Sequence, residues 1–295
     1  MLSKLVGFFR LMRLANIVTA ISDILAGIAI SGYLLQRDFD FLPMMWLVMA
    51  TIGLYGGGVV FNDVFDAELD GIERPERPIP SGLIPKMQAA MLASVLLLIG
   101  VVSAGRVSLD PSALIAAAIV VSVLVYDKWA KHNTFFGPLV MGACRGLNLL
   151  LGMSIVPEIL PMYGFFALVP VLYIAAITMI SRGEVHGGKA STMYVAAAFY
   201  GFVIASIFYC ALIQHNLLYA GGFLILFAGM IFPPLRRAMI RPEGKRIGLA
   251  VKAGVIALIA MNASWAAAFG MIYLAIAIII LLPISLFLSK LFAVT

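Results

Sequence analysis

Charge is what this sequence has least of. Among its 295 residues only 12% are Asp, Glu, Lys or Arg, while 63% are hydrophobic. A water-soluble domain carries roughly 25% charged residues, so water is not the main solvent of this chain. Cysteine is scarce as well. Cys144 and Cys210 lie far apart inside apolar runs, which leaves no disulfide framework and no zinc set and makes both small buried hydrophobes. Two of the three histidines, His132 and His215, sit at the ends of apolar runs and read as solvated interface residues. No basic patch is interleaved with exposed aromatics, so the net charge of +6 is not a nucleic-acid footprint. No small-residue cleavage pattern follows the first apolar run, which is long enough to span a bilayer.

What is present is a succession of apolar runs of about 20 residues, the length a helix needs to cross a membrane. In lipid every backbone polar group must be satisfied internally, which leaves helix bundles or closed barrels. The short alternating segments of a barrel are missing. The fold class is therefore an all-α polytopic membrane protein. Candidate spans fall at 14–35, 43–62, 87–106, 111–127, 135–156, 161–180, 191–213, 217–235, 248–269 and 270–290. The last two are almost contiguous, so the count is about nine, or ten if the final run is broken. No soluble domain fits between them, and residues 1–295 form a single integral-membrane domain. Residues 1–13 mix Leu2, Leu5, Phe8 and Phe9 with Lys4, Arg10 and Arg13, the composition of an interfacial amphipathic helix. With the N-terminus in the cytoplasm, nearly every loop Lys and Arg falls on that side and only Arg37 and Arg106 fall opposite. That places the chain in the cytoplasmic (inner) membrane.

One segment breaks the apolar pattern. FNDVFDAELDGIERPERP closes the second span, and its Asp63, Asp66 and Asp70 are spaced i, i+3, i+7. A continuing helix would put them on one face, with Asn62 beside them and Glu68 pointing elsewhere. Three carboxylates on one stripe repel unless a cation lies among them. Hard oxygen ligands without His or Cys suit Mg²⁺, with Mn²⁺ as the alternative. Mg²⁺ held by a few carboxylates usually shares its shell with phosphates, so a phosphorylated ligand follows, and Arg74 and Arg77 stand next in sequence. Gly56, Gly57 and Gly58 just upstream thin the helix for close packing.

Further polar residues fall on the same side. Tyr126, Lys128 and Lys131 close the fourth span in VYDKWAKHN, where a lysine can meet a diphosphate as a point charge. ISRGEVHGGKAS, after the sixth span, supplies Arg182, Glu184, His186 and Lys189, and its glycines make it a turn. Four spans separate the two polar breaks, so they can face each other across a cavity. Within the spans, Asn16, Asp23, Arg145 and Asn148 are costly to expose to lipid. Asp23 either orients a polar acceptor or pairs internally, for example with Arg145.

These segments together resemble the UbiA superfamily of intramembrane prenyltransferases over nearly the whole chain. NDVFDAELD matches that family's first motif, NDxxDxxxD, at Asn62, Asp63, Asp66 and Asp70. RPERPIPSG, with Arg77, Pro78, Ser81 and Gly82, is similar to its RPLPSG segment. YDKWAK resembles its Tyr-x4-Lys, and Arg13 with Asn16 its R-x2-N entry to the first helix. The loop wording is most similar to the UbiA-like (EboC-type) branch of bacterial ebo gene clusters. The resemblance implies a helix bundle around a central cavity and Mg²⁺-dependent transfer of a prenyl group from an allylic polyprenyl diphosphate to an acceptor within the membrane. It implies Asp63, Asp66, Asp70 and Glu184 as catalytic metal ligands. The sequence departs from the second motif, usually DxxxD: Glu184 stands at its first position and Gly188 where another carboxylate is expected. Arg182, His186 or Lys189 would then meet the diphosphate directly. A prenyl-diphosphate or lipid carrier with weak turnover is the alternative reading. A CDP-alcohol phosphotransferase would need a DGxxAR segment, which is missing.

Overall fold

The computed structural model describes residues 2–184 and 187–292. Every regular element among them is helical: α1 (Leu2–Met12), α2 (Leu14–Ser31), α3 (Phe41–Phe65), α4 (Ala67–Glu73), α5 (Lys86–Gly105), α6 (Leu114–Lys128), α7 (Phe136–Met153), α8 (Leu160–Tyr163), α9 (Leu168–Ser181), α10 (Ala190–Ile213), α11 (Leu217–Ile240), α12 (Gly244–Ala268) and α13 (Ile272–Leu291). Ten segments among the described residues are long and apolar enough to cross a bilayer. The count of ten rests on one residue. Gly270 between α12 and α13 has φ +79°, a left-handed geometry that glycine adopts without penalty. The Asn216 side chain donates to the Ala268 carbonyl there at 3.1 Å, satisfying one of the orphan acceptors at the helix end.

Boundaries differ from the sequence expectation where local chemistry intervenes. The first span stops at Ser31 because Gly32 turns left-handed at φ +70°. The second runs through Phe65, and its start is capped by the Asp40 carboxylate, which accepts from the Leu42 N–H at 3.0 Å. The sixth begins earlier, at Pro157, and reaches α9 through two 3-10 turns and the single turn of α8. Pro157, Pro161 and Gly164 prevent a regular hydrogen-bond ladder there.

Packing follows the small residues. A Cβ on Gly27 of α2 would lie 2.8 Å from the Gly152 Cα of α7, so these two backbones touch where both residues lack side chains. The glycine triplet is divided between neighbours: Gly57 packs on Ala93 and Leu97 of α5, and Gly58 on Val123 of α6. Outward faces remain apolar. On α11, Leu218, Ile225 and Phe232 are exposed while Leu224, Phe227 and Ile231 are buried, the pattern of a helix with lipid on one side and protein on the other.

Residues 2–12 form a separate helix joined to α2 through Arg13, whose φ is +48°. Lys4, Leu5 and Arg10 face outward. Leu11 is buried in a cluster with Val60, Val64, Ile79 and Ile84, so this amphipathic segment packs on the end of α3 and on the loop that follows the aspartates.

Candidate active site

The aspartates of the second span do not sit on an unbroken helix. Asp66 leaves helical geometry at φ −87°, ψ 0°, and α4 resumes after it. Backbone bonds from the Asp66 N–H to the Asn62 carbonyl (3.0 Å) and from the Asp70 N–H to the Asp66 carbonyl (2.8 Å) keep the turns in register. Protein cations stand against all three carboxylates. Arg13 Nη2 donates to Asp63 Oδ1 at 2.6 Å, Arg77 Nη1 to Asp70 Oδ2 at 2.6 Å and to Asp63 Oδ1 at 3.5 Å, and Lys131 Nζ to Asp66 Oδ1 at 2.5 Å. Asp63, Asp70 and Arg77 are buried. Four separate sequence motifs thus meet at one end of the bundle.

Beside this cluster opens a cavity of about 340 Å³. Arg13, Asn16, Asn62, Tyr126 and Asp127 line it together with Tyr55, Cys144, Arg145 and Asn148, and aliphatic side chains of α3, α6, α9 and α12 make up most of the rest. Asn62 Nδ2 donates to Asp127 Oδ1 at 2.9 Å. Asp127 Oδ2 is buried with no hydrogen-bond partner among the described residues.

Asp23 sits farther along α2, roughly 15 Å from Arg13 by helical rise, and is saturated by protein donors. Arg145 Nη1 donates to its Oδ2 at 2.7 Å and Asn148 Nδ2 to the same oxygen at 3.2 Å. Asn262 Nδ2 donates to its Oδ1 at 2.7 Å. Arg145 Nη2 also donates to Thr19 Oγ1 at 2.8 Å, and its guanidinium lies 4.8 Å from the Tyr55 ring centroid. The internal pair anticipated from the sequence is formed. Asp23 therefore faces Arg145 and the two asparagines, and it does not line the cavity.

The second loop is placed less centrally. Arg182 is exposed and donates from Nη2 to the Asn133 carbonyl at 2.5 Å. Lys189 is exposed at the start of α10. Both line a separate pocket of about 310 Å³ with Gly183, Gly187 and Gly188, outside the cavity that Arg13 and Arg145 line. Glu184 is half-buried. Burial raises its carboxyl above the ordinary value of 4.5, and the nearby Arg74 guanidinium pulls the other way. Lys128 points outward, away from the cavity. His186 lies outside the described residues.

Two residues that matter here, Arg13 and Asp127, were not among the sequence candidates. Arg13 was visible only as part of R-x2-N, and Asp127 was hidden between Tyr126 and Lys128 as one acid among bases. Asn262, inside the span 248–269, carried the same signal as Asn16 and Asn148, a polar side chain at membrane depth, and that signal could have found it.

The donor set suits Mg²⁺ of a particular kind. Among the described residues no three Asp, Glu, His or Cys side chains converge to enclose an ion, so Asp63, Asp66, Asp70 and Glu184 are not assembled as a four-ligand cage. The hydrogen bonds that hold the aspartates leave Asp63 Oδ2 and Asp66 Oδ2 without a protein partner among the described residues. Mg²⁺ commonly takes one or two carboxylates and completes its shell with water and substrate phosphates. Such an ion, arriving with a diphosphate, fits these residues.

A bundle of apolar helices enclosing a cavity lined by Arg13, Asp127 and Arg145, with the aspartate cluster beside it, defines a polytopic membrane protein with a charged site at one end of its bundle. The sequence profile of the UbiA prenyltransferase family matches residues 24–247, and the chain belongs to that family. It is a prenyltransferase. Among its relatives is the digeranylgeranylglyceryl phosphate synthase of Sulfurisphaera tokodaii, 27% identical over 238 residues, which span 77% of this chain and 83% of the relative. Solved structures share the fold. One of a digeranylgeranylglyceryl phosphate synthase superposes with a TM-score of 0.64 at 20% identity, covering 92% of this chain and 99% of the other. A UbiA homolog from Archaeoglobus fulgidus bound to DMAPP and Mg²⁺ superposes with a TM-score of 0.63 at 12% identity, covering 85% and 98%.

Proposed function

We propose that this protein transfers a prenyl group from an allylic polyprenyl diphosphate to a small acceptor inside the membrane, with Mg²⁺ as cofactor. The observation that carries the reading is the cluster of Asp63, Asp66 and Asp70 held by Arg13, Arg77 and Lys131, beside a largely apolar cavity that Arg13 also lines. Asp63 and Asp66 would hold the metal, with Asp70 keeping Arg77 in place. When bound, the metal supplies Lewis-acid neutralisation of the charge that develops on the leaving diphosphate. Arg13, Arg77 and Lys131, now held by carboxylates, would donate to diphosphate oxygens and stabilise the charge of the transition state. The prenyl chain lies along the aliphatic wall. Tyr126 on the cavity wall would offer its ring to an allylic cation, and the closely packed helices keep water from it. Glu184 acts from the second loop, close to Arg74.

The positive-inside distribution supports a cytoplasmic location for this end of the bundle and for the N-terminus. Membership of the ebo-type branch rests on loop wording alone, and the archaeal synthases are relatives of a different name. The test is diphosphate release from an allylic donor by purified protein, with and without EDTA. Mg²⁺-dependent release with a prenylated product is the expected result. Tight donor binding with no release under any condition would replace the enzyme by a carrier.

A further inference from the structure

The charges along the cavity are balanced in a way that bears on the acceptor. Three charged residues line it: Arg13, Asp127 and Arg145. Arg13 is held by Asp63 at 2.6 Å and Arg145 by Asp23 at 2.7 Å. Lys131, one turn beyond Asp127, is committed to Asp66 at 2.5 Å. Asp127 has no such partner among the described residues. Its Oδ1 accepts only from the neutral amide of Asn62, and its Oδ2 has no hydrogen-bond partner among the described residues. The uncompensated charge on the cavity wall is therefore negative.

We propose that the acceptor of this enzyme is an uncharged, hydroxyl-bearing molecule rather than a carboxylate or a phosphate. The inference rests on the prenyl-transfer reading and specifies its second substrate. An anionic head entering the cavity would meet Arg145 already neutralised within a saturated network, and would be repelled by Asp127. Like-charge juxtaposition in a desolvated site is a strong element of discrimination. The remaining polar groups on the wall suit hydroxyls: the amide of Asn16 and the phenols of Tyr55 and Tyr126 each donate and accept without charge. Asp127 accepts from a hydroxyl donor. Arg145 serves as a rigid, neutral-pair floor, fixed by Asp23, Thr19 and the Tyr55 ring.

The experiment uses full-length protein in nanodiscs of zwitterionic lipid, loaded with Mg²⁺ and an unreactive thio analogue of geranylgeranyl diphosphate. Two matched probes, 1-O-hexylglycerol and its 3-phosphate, are titrated by calorimetry. The diol should bind about tenfold more tightly than the phosphate, or better. Asp23→Asn uncovers the Arg145 charge and should shift the preference toward the phosphate. Asp127→Asn leaves the buried pair intact and removes the repelling carboxylate, so it should move the preference the same way even if Asp23→Asn fails to fold. A wild-type preference for the phosphate, no saturable binding of the diol, or a preference that Asp127→Asn leaves unmoved overturns the proposal. Failure of the thio analogue to bind at all overturns the prenyl-transfer reading itself, a result the first titration distinguishes.

Discussion

Lys131 Nζ donates to Asp66 Oδ1 at 2.5 Å across 65 residues of sequence. The contact joins the turn after the fourth span to the aspartate segment after the second. On the prenyl-transfer reading, Lys131 would move from the carboxylate to a phosphate oxygen as a metal–diphosphate complex binds.

Lys131→Met should weaken binding of an allylic diphosphate analogue by roughly tenfold, the scale of one charge-assisted hydrogen bond. Thermal stability should hardly change, because Asp66 is partly exposed and water can take over its oxygen. Unchanged donor affinity in that variant would remove Lys131 from the diphosphate site.

The Asp23–Arg145 pair calls for a different outcome. Both side chains are at least nine-tenths buried. Removing one partner strands the other, which costs about 3–5 kcal/mol for a buried pair, whereas replacing both with apolar groups can be nearly neutral. Asp23→Leu or Arg145→Met should each destabilise the bundle strongly, and the double variant should recover much of the loss. Unfolding of all three proteins in mixed micelles measures this cycle. Additive losses in the double variant would show that the two side chains do not act as a pair.

Glu184 offers a pH test. Burial holds its folded-state pKa above the ordinary value, so its ionisation opposes folding at pH values above that range. The penalty is relieved as pH falls through the raised pKa. Glu184→Gln should therefore be more thermostable than wild type at neutral pH, and the difference should shrink on acidification. The same variant should lose most of its prenyl transfer if the second loop shares the site. Wild-type turnover would show that the loop is not part of it.

Gly188→Asp restores the carboxylate that the second motif lacks. A Cβ at this position would lie 3.0 Å from Ile247 Cδ1, the flexible end of a side chain, and the backbone φ is not left-handed. The substitution should be tolerated, with Ile247→Val as a companion to relieve the contact. Raised activity with a steeper Mg²⁺ dependence is the expected result. Unchanged kinetics in both variants would mean that this loop does not approach the metal.

Much of the candidate site was legible in the sequence because charge in an apolar chain has few innocent explanations. Asp63, Asp66 and Asp70 stood out by spacing, and the Asp23–Arg145 pair by the cost of leaving either alone in lipid. Other features depend on which helices touch. Asn262 completes the Asp23 network from 239 residues away, and periodicity says nothing about such a contact. Arg182 and Lys189 looked like diphosphate ligands on the strength of charge and side of the membrane, yet the turn of the chain at the end of α9 takes them to a neighbouring pocket. The tenth span was ambiguous because a single left-handed glycine, with no polar stretch around it, separates α12 from α13.

Calorimetric titration of a non-hydrolysable allylic diphosphate into the purified protein, with and without Mg²⁺, tests the central assignment most directly when repeated on Asp63→Asn and Asp66→Asn. The account predicts tight binding only with Mg²⁺, lost in both variants while each still elutes as a folded bundle. Affinity that is indifferent to the metal and to both substitutions would contradict it.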